Sequence, residues 1–215
     1  MGKDLFHSGE DLCLVPGISY PDITIKAQSL TFLTGPSGTG KSCYLQALNR
    51  TMVPKAGSIT CRDRELSQLD VLAFRRQVLL APQETYLKEG SIQENFAYYY
   101  SMRGEVAPDG PTMKRFLEMV EFPVEPSLET GTLSGGERKR VYLAIFLSAA
   151  KKVLLLDEPT ASFDKDLAIR VFTNICAYVK ERAMTLVCVC HDPELVERFS
   201  EVEITIGGAR WTELP

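Results

Sequence analysis

The sequence predicts a three-layer α/β fold, in which helices cover both faces of a mostly parallel sheet. Short apolar runs at residues 78–81, 153–156 and 184–190 lack the polar alternation of a half-exposed strand. Such continuous runs are typical of parallel strands that are buried on both sides. Helical stretches at residues 134–149 and 166–182 lie between these strands, as crossover connections require.

The composition is that of a globular protein. The chain has 215 residues, of which 45% are hydrophobic, and this is enough for one domain with a sizeable core. Its net charge of −4 gives no overall basic surface for nucleic acid. The apolar runs are shorter than the roughly 18 residues of a membrane-spanning helix. The N-terminus lacks the apolar core of a secretion signal, so we expect a protein that is not secreted.

The N-terminal part predicts strands at residues 11–15, 23–26, 29–34 and 58–61, with helices at 43–48 and 69–76. Residues 85–131 are richer in Gly and Pro, and helix-like pieces at 92–102 and 112–120 lie between these breaks. We interpret 85–131 as a small helical subdomain inserted into a core formed by 1–84 and 132–215. At the C-terminus, Asp192 and Pro193 begin a helix, and residues 202–206 and 209–212 predict a closing hairpin.

Residues 35–42 fit the motif G-x-x-x-x-G-K-[ST], between a predicted strand and a predicted helix. Glycines in such a loop let backbone N–H groups turn inward around a triphosphate, and the helix N-terminus adds its positive end. A glycine-rich turn capped by serine is the alternative, but every fixed position of the motif matches. We expect Lys41 to reach the β- and γ-phosphates and the Ser42 hydroxyl to bind Mg²⁺. The expected nucleotide-binding residues are Gly35, Pro36, Ser37, Gly38, Thr39, Gly40, Lys41, Ser42 and, through its backbone N–H, Cys43.

Polar residues end three of the predicted buried strands. Asp157 and Glu158 follow one of them, at the edge of a parallel sheet where ligands bind. Asp157 would hold Mg²⁺, and Glu158 would orient or deprotonate the attacking water. Gln83 could contact the metal or the water, although a Gln at a strand end is usually only polar surface. His191 could donate a hydrogen bond to the γ-phosphate. For a lone histidine, the alternative that it has no function is equally good.

Residues 133–137 read Leu-Ser-Gly-Gly-Glu at the start of a helix. Ser134 and Glu137 have the spacing of a capping box. That motif does not explain Gly135 and Gly136, because glycine is a poor helix former. Glycines at a helix N-terminus let an anion approach the backbone, so we predict a second phosphate-binding surface here.

Together these motifs resemble the ATP-binding cassette (ABC) ATPases. The loop GPSGTGKS, Gln83, LSGGE, VLLLDEPT and His191 followed by Asp occur in that family's order over nearly the whole chain. The resemblance implies a P-loop NTPase core with an N-terminal antiparallel β subdomain and a small helical subdomain. It further implies that ATP and Mg²⁺ are the cofactors, and that Ser134 and Gly136 contact the γ-phosphate bound to a second subunit in a head-to-tail dimer.

Two stretches depart from the family's pattern. The loop that would cross the dimer interface, residues 161–164, keeps Asp164 but has Ala161 and Phe163 where the family usually has Ser and Leu. The family also stacks adenine on an aromatic residue about 25 residues before the loop lysine. Val15 is the candidate here, while Tyr20 lies late, so we expect modest ATP affinity and loose base selectivity.

The resemblance implies the ATP-hydrolysing subunit of an ABC transporter, peripheral on the cytoplasmic face of the membrane. Its expected partners are a second ATPase subunit, in a homodimer or heterodimer, and a membrane subunit that docks on residues 85–131; no nucleic acid is expected. Tyr86 and the run Tyr98, Tyr99 and Tyr100 would lie at that docking surface, or would form a satellite hydrophobic cluster. The alternatives are a soluble non-transport ABC ATPase, for example of the iron–sulfur assembly type, and a regulatory module, against which Glu158 and His191 argue.

Six cysteines occur without a C-x-x-C pair. Cys188 and Cys190 lie two residues apart on a predicted strand and therefore on one face. They are candidates for a metal or redox pair, but we favour small buried apolar residues of a reduced protein.

Overall fold

The computed structural model describes residues 3–207, and this part of the chain forms two β-sheets with helices packed around them. The strands are β1 (Asp4–Ser8), β2 (Ile23–Lys26), β3 (Leu30–Thr34), β4 (Ile59–Cys61), β5 (Arg64–Glu65), β6 (Val78–Ala81), β7 (Val153–Asp157), β8 (Thr185–Val189) and β9 (Val202–Thr205). The helices are α1 (Lys41–Leu48), α2 (Val71–Gln77), α3 (Ile92–Met102), α4 (Gly110–Met119), α5 (Gly135–Ala149), α6 (Lys165–Glu181) and α7 (Pro193–Phe199).

The larger sheet has five strands in the order β6-β7-β8-β3-β9, and all of its pairs are parallel. Its strands are buried on both faces because alternate residues enter two different cores. In β7, Leu154 and Leu156 pack into the core formed with α3 to α7, whereas Val153 and Leu155 pack into the core that contains α1 and the N-terminal strands. The predicted three-layer α/β fold is therefore confirmed.

The smaller sheet is antiparallel, with the order β2-β1-β4-β5, and it confirms the N-terminal antiparallel β subdomain. Strand β1 was missed by the sequence analysis. The strand predicted at residues 11–15 is wrong, since only Cys13 pairs there, in an isolated bridge with Ala56. Leu12 and Leu14 are both buried, as an alternating strand would have them. Leu12 and Val15 are instead bonded in turns, to Gly9 and Ile18, and Cys13 between them pairs with Ala56.

Residues 85–131 contain α3 and α4, which both pack against α5. Each begins at a capped N-terminus, α3 with a capping box of Ser91 and Glu94, and α4 with Asp109. The side chains of this region belong to the same hydrophobic core as one face of the parallel sheet. The division into a core of 1–84 and 132–215 and an inserted subdomain stays a prediction.

At the C-terminal end, β9 pairs in parallel with β3, and the next backbone bond joins Ile206 N–H to the Thr34 carbonyl. The second arm of the predicted hairpin, residues 209–212, lies outside the described residues. Among the helices described between residues 3 and 207, none is long and apolar enough to cross a membrane.

Candidate functional site

The loop between β3 and α1 has the backbone geometry that its glycines allow. Gly35, Gly38 and Gly40 have φ values of 125°, 80° and 89°, a region that L side chains rarely adopt. A Cβ on Gly35 would lie 2.1 Å from the Ile206 carbonyl oxygen, so the loop also passes directly over the end of β9. Gly40 is the N-cap of α1 and makes no side-chain capping bond, and the first turn of α1 has no acidic residue. The helix N-terminus is therefore available to an anion.

Lys41 lies folded over this loop. Its Nζ donates to the carbonyl oxygens of Gly35, at 2.9 Å, and Pro36, at 2.6 Å. The residue is buried, and burial lowers the pKa of its ammonium group, although Glu158 and Asp157 act in the opposite direction. The predicted phosphate-binding lysine thus lies within the loop and within the field of both carboxylates.

Tyr20 is a buried residue that bonds to the backbone of the glycine loop. Its hydroxyl donates to the Gly40 carbonyl oxygen at 3.0 Å, and its ring stacks on Tyr44 with 5.7 Å between the centroids. Tyr20 is only 2% exposed, so it is a core residue and not a surface for a nucleobase. Val15 is half-buried, and its proposed contact with a base stays a prediction.

Ser42 and Asp157 meet across the end of the sheet. The Ser42 hydroxyl donates to Asp157 Oδ1 at 3.1 Å. Asp157 is 5% exposed, and burial raises the pKa of its carboxyl group, partly offset by the bond from Ser42. A hydroxyl and a carboxylate in contact, next to an uncapped helix N-terminus, are the hard oxygen ligands that Mg²⁺ takes when it also binds phosphates. The residues present therefore fit a magnesium nucleotide.

Glu158 is at the centre of the second group of polar residues. Gln83 Nε2 donates to Glu158 Oε2 at 3.0 Å, and His191 Nε2 lies 3.1 Å from Glu158 Oε1. Glu158 has a φ of 47°, and such a left-handed conformation in a residue other than glycine is often found at functional sites. The strand order explains the group, since β6, β7 and β8 are neighbours and these residues follow their carboxyl ends. A cavity of about 460 Å³, lined in part by Phe163 and Cys190, adjoins Glu158 and His191.

The LSGGE stretch forms the capping box that its spacing predicts. The Ser134 hydroxyl accepts from the Glu137 N–H, and Glu137 Oε2 accepts from the Ser134 N–H at 2.8 Å. The bonds from Ser134 lower the pKa of the Glu137 carboxyl group. Ser134 and Gly135 are exposed, and a Cβ on Gly136 would have the Ser162 carbonyl oxygen as its nearest neighbour, at 3.9 Å. The stretch therefore faces solvent beside the loop of residues 161–164.

The sequence analysis missed Lys139, which is 8% exposed and donates from Nζ to the Gln83 carbonyl oxygen. A signal was present, because Lys139 shares one helix face with Tyr142, Leu143 and Phe146, which are apolar and buried. A cation within an apolar stripe of this kind is rarely a simple surface residue.

The pair Cys188 and Cys190 lies in the core, as expected for small apolar residues. Cys176, Cys188 and Cys190 are buried and free, and burial raises the pKa of each thiol. In the part of the chain that the structure describes, no group of three or more His, Cys, Asp or Glu residues could hold a metal ion. The interpretation of Cys188 and Cys190 as buried apolar residues is supported.

The parallel sheet with its glycine loop, lysine and carboxylates defines a P-loop nucleotide-binding protein. Comparison with known proteins identifies the class more closely, because a family model described as "ABC transporter" matches residues 19–161. The chain belongs to this family.

Several relatives support the assignment. The chain is 32% identical to ABC transporter I family member 17 of Arabidopsis thaliana, over 84% of this chain and 68% of the relative. It is 31% identical to the phosphonates import ATP-binding protein PhnC of Nitratidesulfovibrio vulgaris, over 83% of this chain and 72% of the relative. It spans about half the length of some other curated relatives. An ABC transporter ATP-binding protein from Pyrococcus furiosus has the same fold, with a TM-score of 0.78, 20% identity, and coverage of 94% of this chain and 96% of that one.

Proposed function

We propose that this chain is the ATP-binding and ATP-hydrolysing subunit of an ABC transporter and powers transport through a separate membrane subunit. The observation that carries the proposal is the arrangement at the carboxyl edge of the parallel sheet. Glu158 is held by Gln83 and His191 there, directly after Asp157, which contacts Ser42 of the glycine loop. Relatives named as ATP-binding proteins of import systems support the same role.

The glycine loop would bind the triphosphate. Backbone N–H groups of residues 35–43 would surround the phosphates, and Lys41 would exchange its carbonyl partners for the β- and γ-phosphate oxygens. Ser42 and Asp157 would hold Mg²⁺, with Gln83 as a further ligand from the loop that follows β6. When bound, Mg²⁺ supplies positive charge that offsets the charge of the phosphates.

Glu158 is the group that would accept a proton from the attacking water. Its two carboxylate oxygens each have a partner, and these partners fix the direction in which the carboxylate points. Gln83 is exposed and lies on a loop, so its side chain would change position when nucleotide and water bind. That movement would be transmitted to the helices that contact the loop. His191 would donate a hydrogen bond to the γ-phosphate, and its Nε2–H would then exchange Glu158 for the phosphate oxygen.

The second half of each ATP site would come from another subunit. Ser134 and Gly135 are exposed in the single chain and Gly136 is half-buried. The capping box uses the N–H groups of Ser134 and Glu137, so those of Gly135 and Gly136 at the helix N-terminus stay available to an anion. We therefore propose a head-to-tail dimer, in which these residues close over the γ-phosphate held by the partner. Residues 161–164 would cross the same interface.

Residues 85–131 would form the helical subdomain that docks on the membrane subunit, at the cytoplasmic face of the membrane. Tyr86 is 58% exposed and lies three residues after Gln83, so a partner bound there would adjoin the loop that reaches Glu158. Tyr98 is half-buried, whereas Tyr100 packs into the core. The family assignment and the relatives' names favour transport over a soluble iron–sulfur assembly role.

Glu158→Gln tests the proposed hydrolysis. The variant should bind ATP with unchanged affinity, lose turnover, and accumulate as an ATP-bound dimer. Isothermal titration, phosphate release and size-exclusion chromatography measure these three properties. Glu118→Gln, an exposed change on α4, is the matched control and should keep turnover. Unchanged turnover in Glu158→Gln would reject the catalytic role of this carboxylate.

Ser134→Arg tests the dimer separately. The arginine would fill the exposed face of the capping box and block the partner, while the chain's own glycine loop is unaltered. ATP binding should persist and the ATP-bound dimer should be lost from the chromatogram. A loss of ATP binding would show that the stretch serves the local site or the fold.

A further inference from the structure

Residues 83–87, here called the Gln83 loop, are held through their backbone carbonyl groups by side chains of α3 and α5. Lys139 Nζ donates to the Gln83 carbonyl oxygen, and Arg138 Nη2 donates to that of Leu87 at 2.9 Å. Tyr99 Oη donates to the Tyr86 carbonyl oxygen at 2.6 Å. Two consecutive cations of α5 therefore hold the two ends of the loop. Because all three bonds use backbone acceptors, they fix the path of the loop and leave the Gln83 side chain free to contact Glu158.

Lys139 is the unusual member of this set, since it is a cation that is only 8% exposed. A buried charge is costly unless it is hydrogen-bonded and compensated. The Gln83 carbonyl oxygen is its bonded partner, and Asp157 and Glu158 are the carboxylates that act on it. Burial lowers the pKa of the Lys139 ammonium group, and the two carboxylates oppose that effect. An apolar side chain would fill this position on the stripe at lower cost, so packing alone does not explain the lysine.

We infer that Lys139 is a positioning residue for hydrolysis, because its ammonium group holds the Gln83 backbone where the Gln83 amide can contact Glu158. Lys139 lies five residues after Ser134 on one continuous helix, so both move with α5 as a rigid body. A displacement of the exposed N-terminus of α5 therefore shifts the Gln83 amide relative to the Glu158 carboxylate. The inference rests on the proposed ATPase function, and it names the contact through which α5 acts on the centre of that site.

Lys139→Met and Lys139→Gln separate the bond from the volume of the side chain. Methionine fills the space without a donor, whereas glutamine keeps an N–H donor on a slightly shorter chain. Lys151→Met is the control, because Lys151 lies just beyond the end of α5 and makes a surface pair with Glu105. Each full-length variant is measured for kcat and KM with ATP, and for amide hydrogen exchange in residues 82–88.

Lys139→Met should lower kcat about tenfold while KM for ATP stays within about twofold, and amide exchange in residues 82–88 should accelerate about tenfold. Lys139→Gln should recover most of both losses, and Lys151→Met should change neither. Circular dichroism and the melting temperature check that each variant is folded. Unchanged kcat and exchange in Lys139→Met would overturn the inference, as would losses that Lys139→Gln fails to relieve.

The two proposals fail in different ways. If the unchanged protein binds ATP but does not hydrolyse it, the proposed function fails. The exchange measurement does not depend on turnover, so it still decides whether Lys139 holds the Gln83 loop. Hydrolysis that is normal in both the unchanged protein and Lys139→Met would instead preserve the proposed function and reject the role of Lys139.

Discussion

Tyr20→Phe is the sharpest test of how the fold shapes the glycine loop. The change removes one hydroxyl, which donates to the Gly40 carbonyl oxygen at 3.0 Å, and leaves a ring that is 2% exposed and stacked on Tyr44. A hydrogen bond of this kind contributes about 0.5–1.5 kcal/mol. If the loop loosens by that amount, ATP affinity should fall by about two- to twelvefold, since about 1.4 kcal/mol corresponds to a factor of ten. Isothermal titration with ATP and Mg²⁺ measures the change.

Tyr44→Phe is the matched control. Its hydroxyl is also buried and bonded, to Ser8 at 3.1 Å, but Ser8 belongs to the antiparallel sheet and not to the loop. Both variants should lose about 1 kcal/mol of stability and melt about 2–4 °C lower. Only Tyr20→Phe should also weaken ATP binding. Equal ATP affinities in the two variants would refute the idea that Tyr20 sets the loop geometry, even if both are destabilised.

Three further changes test other parts of the structure. Gly35→Ala places a Cβ 2.1 Å from the Ile206 carbonyl oxygen at a φ of 125°, so the free energy of unfolding should fall by at least about 3 kcal/mol. Urea unfolding measures this change, and a fall of less than about 1 kcal/mol would contradict the geometry. Glu137→Gln should lower the melting temperature at neutral pH, because the folded-state pKa of Glu137 lies below its unfolded value of 4.5. The ionised carboxylate therefore stabilises the fold above pH 4.5, and this stabilisation is lost as the pH falls through the folded pKa. A gap in melting temperature between the unchanged protein and the variant that grows on acidification would contradict this sign. Cys176, whose thiol pKa burial raises to about 11, should resist maleimide at pH 7 until the protein unfolds, as mass spectrometry of labelled peptides can verify.

Much of the fold and site follows from local signals in the sequence. Unbroken apolar runs predicted β6, β7 and β8 nearly to the residue, because strands buried on both faces cannot carry polar side chains. The same reasoning placed Gln83, Glu158 and His191 at strand ends, and parallel neighbours bring such ends together. Capping residues predicted the start of α5 from Ser134 and that of α7 from Asp192.

What the sequence analysis missed depends on pairing between distant residues. Strand β1 has a polar ladder residue, His7, opposite Thr24 and Thr60, so its pattern alone does not distinguish it from a loose terminus. Residues 11–15 have the alternation of a strand, yet turns on both sides prevent a ladder. The apolar stripe of α5 indicates that Lys139 is buried, but its bonding partner, the Gln83 carbonyl group, is 56 residues away and appears only in the fold.

The order of the strands in the parallel sheet determines which residues surround Glu158. Gln83, Glu158 and His191 come from three successive neighbours in the sheet, so the carboxylate of Glu158 is held from both sides by elements that belong to different parts of the chain. His191 follows β8, which is buried over its whole length and paired on both sides, with β3 and β7. Gln83 instead lies on a loop whose position depends on Lys139 and α5. One side of Glu158 thus contacts a residue that follows the sheet, and the other contacts a loop held by a helix, which is the asymmetry that the proposed control of hydrolysis by subunit closure requires.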